Sequence, residues 1–221
     1  MIAAALFASL VLHAGSVEGT IIIKRRLTKR NVTPTVAAYQ RGPAVPLGIA
    51  EPDEDPLSFE RSRVVIYVEG AGPAGAPATA TLEQRDRRFA PEIVVIPAGS
   101  SVSFPNLDPI FHNVFSLSKT KSFDLGNYPK GQSRTVAFPE PGIVFVNCHL
   151  HPNMAAAIVV TPNKWSAQAG RDGRFVLKDL PPGKYEVVAW HKAAGYFRKK
   201  IVVGAGVTGD VDFLIPLGEK K

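Results

Sequence analysis

Apolar residues along this chain come in short runs rich in Val and Ile, broken by Gly, Pro, Asn and Asp. No window sustains a 3.6-residue period, so the pattern predicts β-strands and no long helix. GTIIIK (Gly19–Lys24) and RVVIYVEG (Arg63–Gly70) read as two early strands. A closer-spaced series follows between Ala78 and Thr161: TATLEQ, EIVVI, SVSF, HNVFSL, SRTVAF, GIVFVN and AAAIVV. Its spacing suits a β-sandwich or Greek-key barrel. After Thr161 the texture changes to KWSAQ, RFVLK, KYEVVAW, YFRKKIVV and VDFLIP, divided by DG and PPG turns. These read as hairpins of a second, smaller sandwich, with Asp172 and Asp179 as turn formers. Two stretches, Arg41–Glu60 and Ala71–Ala78, carry the Pro and Gly density of connectors.

The predicted fold class is therefore all-β, with two sandwich units. The segment after Thr161 supplies about five strands, where a sandwich of this kind has about seven. The two early strands have no partner of their own, and a lone pair is marginal in water. The expectation is that residues 17–69 complete the C-terminal sandwich of 162–221. The unit at 70–161 would then be inserted within it, with hinges at Gly70–Ala78 and Thr161–Lys164.

The first stretch, MIAAALFASLVLHAGS, is apolar, ends in small residues and is too short to span a bilayer. It reads as a secretory leader over residues 1–16, cleaved between Ala14 and Gly19. The expected location is periplasmic or secreted, with no transmembrane segment in the mature chain. One cysteine excludes an internal disulfide, so Cys148 is free, intermolecular or a metal ligand. The formal charge of +7 gathers in KRRLTKR (Lys24–Arg30), Arg198–Lys200 and the terminal lysines. No aromatic residues interleave with these runs, and export argues against a nucleic-acid partner. A basic face of this kind steers an acidic protein partner instead.

The chemistry concentrates in CHLHPNM, Cys148–Met154. The C-x2-H-x2-M spacing, in a turn between two strands, can aim Cys148, His151 and Met154 at one point. A second imidazole has to come from elsewhere. His112 is the candidate, because it opens a strand after a Pro-containing loop. Two imidazoles, a thiolate and a weak thioether form the ligand set of a blue copper site. Zinc also accepts Cys and His, but a structural zinc site favours more thiolates, and a catalytic one needs an open position and a base. His149 points away from Cys148 in an extended chain and is expected beside the ligands rather than among them. His191 ends the run YEVVAWH and reads as a structural or surface residue.

The residues Ala78–Thr161 resemble the cupredoxin family. CHLHPNM is similar to the short ligand loop of the amicyanin type. RFAPEIVVIPAGSSVSFPNLDPIFHNVF is similar to the family's F-x-P, strand, Gly turn, strand, N-x-D and H-N-V pattern. The resemblance implies an eight-stranded Greek-key sandwich and one copper ion held by His112, Cys148, His151 and Met154. It also implies that Asn113 braces the ligand loop. DGRFVLKDLPPGKYEVVAWH resembles the carboxypeptidase-regulatory, transthyretin-like sandwich. Proteins joining two such modules are commonly labelled methylamine-utilisation or plastocyanin-like proteins. The function implied is single-electron transfer between redox partner proteins, with no enzyme activity of its own. Electrons would leave through the edge of His151, ringed by Ile110, Phe111, Leu150 and Pro152. Two other readings stay open: a copper chaperone or sensor, and an adhesion or carbohydrate-binding module.

Overall fold

The computed structural model describes residues 14–28 and 55–216. Expectations for 1–13, 29–54 and 217–221, including most of the leader and most of the first connector, lie outside the described residues. The chain opens with β1 (Gly15–Ile23), a one-turn helix α1 (Ser58–Arg61) and β2 (Val64–Val68). The central series is β3 (Thr79–Thr81), β4 (Glu83–Arg85), β5 (Arg88–Ala90), β6 (Ile93–Pro97), β7 (Ser100–Pro105), β8 (His112–Leu117), β9 (Ser122–Tyr128), β10 (Ser133–Phe138), β11 (Gly142–Asn147) and β12 (Ala155–Thr161). The chain closes with β13 (Ser166–Gln168), β14 (Arg174–Leu180), β15 (Gly183–His191), β16 (Gly195–Val203), β17 (Val207–Thr208) and β18 (Phe213–Ile215).

The hydrophobic alternation sorts most of these strands into four stacked sheets, with β4 and β5 forming a separate two-stranded hairpin. The outermost, β10-β7-β3, faces the five-stranded sheet β6-β12-β11-β8-β9. Val102, Phe104, Val136 and Phe138 from one side meet Val94, Val114, Val146 and Ile158 from the other. The third sheet, β13-β2-β15-β16, packs its own core against β14-β1-β17, to which β18 adds beside β1. Val64, Ile66, Val187 and Ala189 there meet Val17, Ile21, Phe175 and Leu177. Between the two middle sheets lies a further apolar layer of Val65, Ile93, Ala157, Val159 and Trp190. Full burial of a Val or Ile side chain contributes about 1.5–3 kcal/mol, so this layer binds the two halves firmly. An Arg63–Glu92 ion pair crosses the same boundary.

This stacking explains two runs that do not alternate. In β12, Ala156, Ile158 and Val160 face one core while Ala157 and Val159 face the middle layer. In β2, Val64, Ile66 and Val68 face one core while Val65 faces the middle layer. Strands buried on both faces read as continuous apolar sequence.

Chain connectivity follows the same plan. β1 pairs antiparallel with β14 and parallel with β17 and β18, while β2 pairs with β13 and β15. The central series thus leaves from β2 and returns at β13, two strands that are neighbours in one sheet.

Several strands differ from the sequence pattern. TATLEQ breaks at Leu82 into β3, which pairs with β7, and β4, which pairs with β5. The pattern omits β5, β9 and β17. In β9, Phe123 and Leu125 turn inward, but Asp124, Gly126 and Asn127 interrupt the apolar signal. The end of the Arg41–Glu60 connector is the start of α1 and not loop. It is the one helix among the described residues.

Candidate metal centre

β8 and β11 lie side by side in the five-stranded sheet, in register at Phe115 and Asn147. His112 therefore opens β8 at the same end of the sheet where β11 finishes and Cys148 begins the turn to β12. The turn closes through the Met154 N–H, which donates to the His151 carbonyl at 2.9 Å. It places the Met154 side chain, 1% exposed, in the same apolar cluster as Cys148.

The ligand atoms of His112, Cys148 and His151 lie within 4.8 Å of one another, and no second group of this kind occurs among the described residues. His112 Nδ1 stands 3.0 Å from His151 Nδ1. Cys148 Sγ stands 3.7 Å from His151 Nδ1. A tetrahedral ion with arms of about 2.0 Å to nitrogen and 2.3 Å to sulfur has edges of roughly 3.3 Å (N to N) and 3.5 Å (N to S). The observed spacings fit such a polyhedron, so the three side chains are set for a single ion. His112 and Cys148 are buried, while His151 keeps partial contact with solvent. Burial holds His151 below the ordinary imidazole range, helped by the nearby His112 and Arg87 charges and opposed by Asp108.

Neighbouring groups fix these side chains. The Asn113 N–H donates to Cys148 Sγ at 3.4 Å. The Asn113 side chain donates to Asp124 Oδ1 at 2.7 Å and accepts the His149 N–H at 3.3 Å. One asparagine thus ties β8 to β9 and to the ligand turn. Asp108 Oδ2 lies 2.7 Å from His112 Nε2. Burial pushes the Asp108 carboxyl up, but bonds from the Arg87 N–H, His112 and the Asp86 N–H overcome this and leave it below the usual carboxylate range.

His149 stands apart from the cluster. Its ring stacks on Phe115 with centroids 3.7 Å apart and planes 3° from parallel. Its Nε2 is 3.7 Å from Asp124 Oδ2, and both side chains are more than half exposed. Next to His112 in sequence, Phe111 is 56% exposed and Ile110 half-buried; next to His151, Leu150 is 47% exposed and Pro152 is exposed. His191 lies far off in the chain fold, buried at the end of β15 beside Glu60.

Sequence reasoning quoted Asp108 within N-x-D but gave it no role, and it missed Asp124. An acid four residues before His112 was the available signal for Asp108. Asp124 had none, because its contacts cross from β9.

No family model and no curated protein matches the chain. Among solved structures it is similar to a copper-containing nitrite reductase from Thermus scotoductus SA-01, at 24% identity and TM-score 0.36, over 42% of this chain and 25% of that one. The chain thus spans a quarter of that reductase. It is similar to a purple cupredoxin from Nitrosopumilus maritimus, at 22% identity and TM-score 0.34, over 37% of this chain and 98% of that one. It is also similar to amicyanin, at 19% identity and TM-score 0.36, over 43% of this chain and 97% of that one. What the chain itself presents is an all-β fold of stacked sheets with one His–Cys–His group at a sheet end.

Proposed function

We propose that the protein is an exported type 1 (blue) copper protein that carries single electrons between redox partners. The observation that carries this reading is the convergence of His112 Nδ1, His151 Nδ1 and Cys148 Sγ at spacings that fit one ion. Copper held there would supply a one-electron Cu(I)/Cu(II) couple. His112 and Cys148 hold the buried side of the site, with Met154 as the weak fourth ligand. His151 reaches the surface and gives the electron its exit. Phe111, Leu150, Pro152 and Ile110 form the apolar rim on which a small, transient redox interface fits. The basic surplus of the chain favours an acidic partner. The reading assigns no catalytic residue. The second sandwich is taken as carboxypeptidase-regulatory-like. Export rests on the leader sequence; among the described residues no helix is long and apolar enough to cross a membrane.

A second reading, copper handling, is favoured by the exposed His149 and Asp124 beside the ligand turn. Repeated voltammetric cycling in the presence of a Cu(I) chelator separates the two. The electron carrier keeps its copper and cycles reversibly. Loss of copper to the chelator at each reduction overturns the carrier in favour of handling.

A further inference from the structure

We propose that Asp108 is a positioning residue that fixes which nitrogen of His112 carries a proton, and that the Asp86–Arg87 turn holds Asp108 in place. The inference deepens the copper reading, yet it concerns a property that the metal-free chain has by itself.

β4 and β5 form a hairpin whose two loop residues, Asp86 and Arg87, have φ of 54° and 55°. This left-handed pair is the conformation that Asn-Gly adopts with ease and that Asp-Arg adopts against strain. The turn is held by its target. The Asp86 N–H donates to Asp108 Oδ1 at 2.7 Å, and the Arg87 N–H donates to Oδ2 at 2.8 Å. The hairpin is moored to the same loop by the Leu107 N–H, which donates to the Gln84 carbonyl at 2.9 Å. The Asp108 N–H in turn donates to Asn106 Oδ1 at 2.9 Å. Asp108 is 6% exposed, so its carboxylate has no freedom to swing towards water.

An ionised carboxylate only accepts hydrogen bonds. With Oδ2 at 2.7 Å, His112 Nε2 has to be the donor. A neutral His112 then has its lone pair on Nδ1, the atom that faces His151 and Cys148. The 3.0 Å contact between the two Nδ1 atoms follows: His151 Nδ1 carries the proton and His112 Nδ1 accepts it. Without the carboxylate, His112 would lose the one partner among the described residues that favours Nε2–H, and Nδ1–H would bond to His151. Either way one Nδ1 carries a proton, but His151 reaches solvent and can shift its proton to Nε2, whereas His112 is fully buried and would have to place its proton on an Nε2 with no acceptor before Nδ1 could bind an ion.

The test uses the full-length, metal-free, nitrogen-15-labelled chain. Long-range proton–nitrogen correlation spectra report the His112 tautomer, and chelator competition reports Cu(I) affinity. In the native chain His112 is protonated at Nε2. Asp108→Leu, which keeps bulk but removes every acceptor, moves the proton to Nδ1 and weakens Cu(I) binding by about 10–100-fold. Asp108→Asn restores an acceptor oxygen and keeps Nε2–H. The change Asp86→Asn suits the left-handed turn, keeps both backbone donors and the Arg87 charge, and leaves tautomer and affinity unchanged. A native His112 protonated at Nδ1 overturns the proposal even if Asp108→Leu fails to fold. So does a cooperatively melting Asp108→Leu protein that retains Nε2–H and native affinity. A drop in the turn variant equal to that of Asp108→Leu overturns the backbone origin of the support. A native chain that shows Nε2–H but binds no copper counts against the proposed function and leaves the positioning role supported.

Discussion

Asn113 shows how much of the site depends on single side chains that are not ligands. It is 2% exposed and joins Asp124, the His149 N–H and, through its own N–H, Cys148 Sγ. Asn113→Ala removes the two side-chain bonds and leaves the His149 N–H without its acceptor. The expected loss is about 1–3 kcal/mol of stability, read by denaturant unfolding. An unchanged unfolding midpoint would show that the bracing is idle. At this scale the ligand turn was legible because Cys148, His151 and Met154 fall within seven residues of each other. His112 was legible from its place at a strand start. Asp124 was not, because its bond comes from a neighbouring strand, and the role of Asp108 was not, because an acid four residues before a strand histidine meets it only through the local bend of a loop and is held there by a turn some twenty residues away.

Elements were legible where one face was apolar and the other polar. β7 and β10 show that pattern and were found. β9 carries Phe123 and Leu125 on its inner face, but Gly126, at φ 65°, and two polar neighbours hide it. The helix α1 has one turn and no periodicity to read. It nonetheless brings Glu60 into the interior, 1% exposed, where its carboxylate accepts the N–H and hydroxyl of Thr28. His191 Nδ1 accepts the Ala193 N–H, which places the His191 proton on Nε2, 3.2 Å from Glu60 Oε2 but off the line of a hydrogen bond. Burial, partly offset by Glu60, lowers the His191 pKa from its ordinary 6.5; Arg63 adds to the lowering. Burial raises Glu60, but the Thr28 bonds and the His191 and Arg63 charges leave it below 4.5. Both groups bind protons more readily in the unfolded chain, so both stabilise the fold at neutral pH. That stability falls as pH drops through 6.5 for His191 and again through 4.5 for Glu60. One group contributes a slope of at most about 1.4 kcal/mol per pH unit. Denaturant unfolding between pH 7.5 and 5 should show the His191 share, and His191→Asn should flatten it. An identical slope in that variant would contradict the assignment.

Among the described residues four sheets stack with three apolar layers between them, beside the separate β4–β5 hairpin, and their order along the chain was only partly legible. Strand counting suggested that the first strands complete the last sandwich, but nothing in the sequence announces a middle layer. The two-sided burial of β2 and β12 produces the same continuous apolar runs as any buried strand. We propose that the copper unit at 70–161 is inserted in a sandwich built from 17–69 and 162–221. The fragment Pro162–Lys221 lacks β1 and β2, which supply Val17, Ile21, Val64 and Ile66 to its core. Expressed alone, it should show no cooperative melt; a sharp thermal transition would refute the insertion. Ala78–Thr161 should fold, but it exposes Ile93, Ala157 and Val159 of the middle layer and should self-associate. The central claim is the copper site itself, and visible absorption during titration of the metal-free, full-length protein with Cu(II) tests it most directly. The account predicts an intense thiolate-to-copper charge-transfer band that saturates at one equivalent and is absent from Cys148→Ser. Full loading at one equivalent with no such band, or an unchanged band in Cys148→Ser, would contradict it.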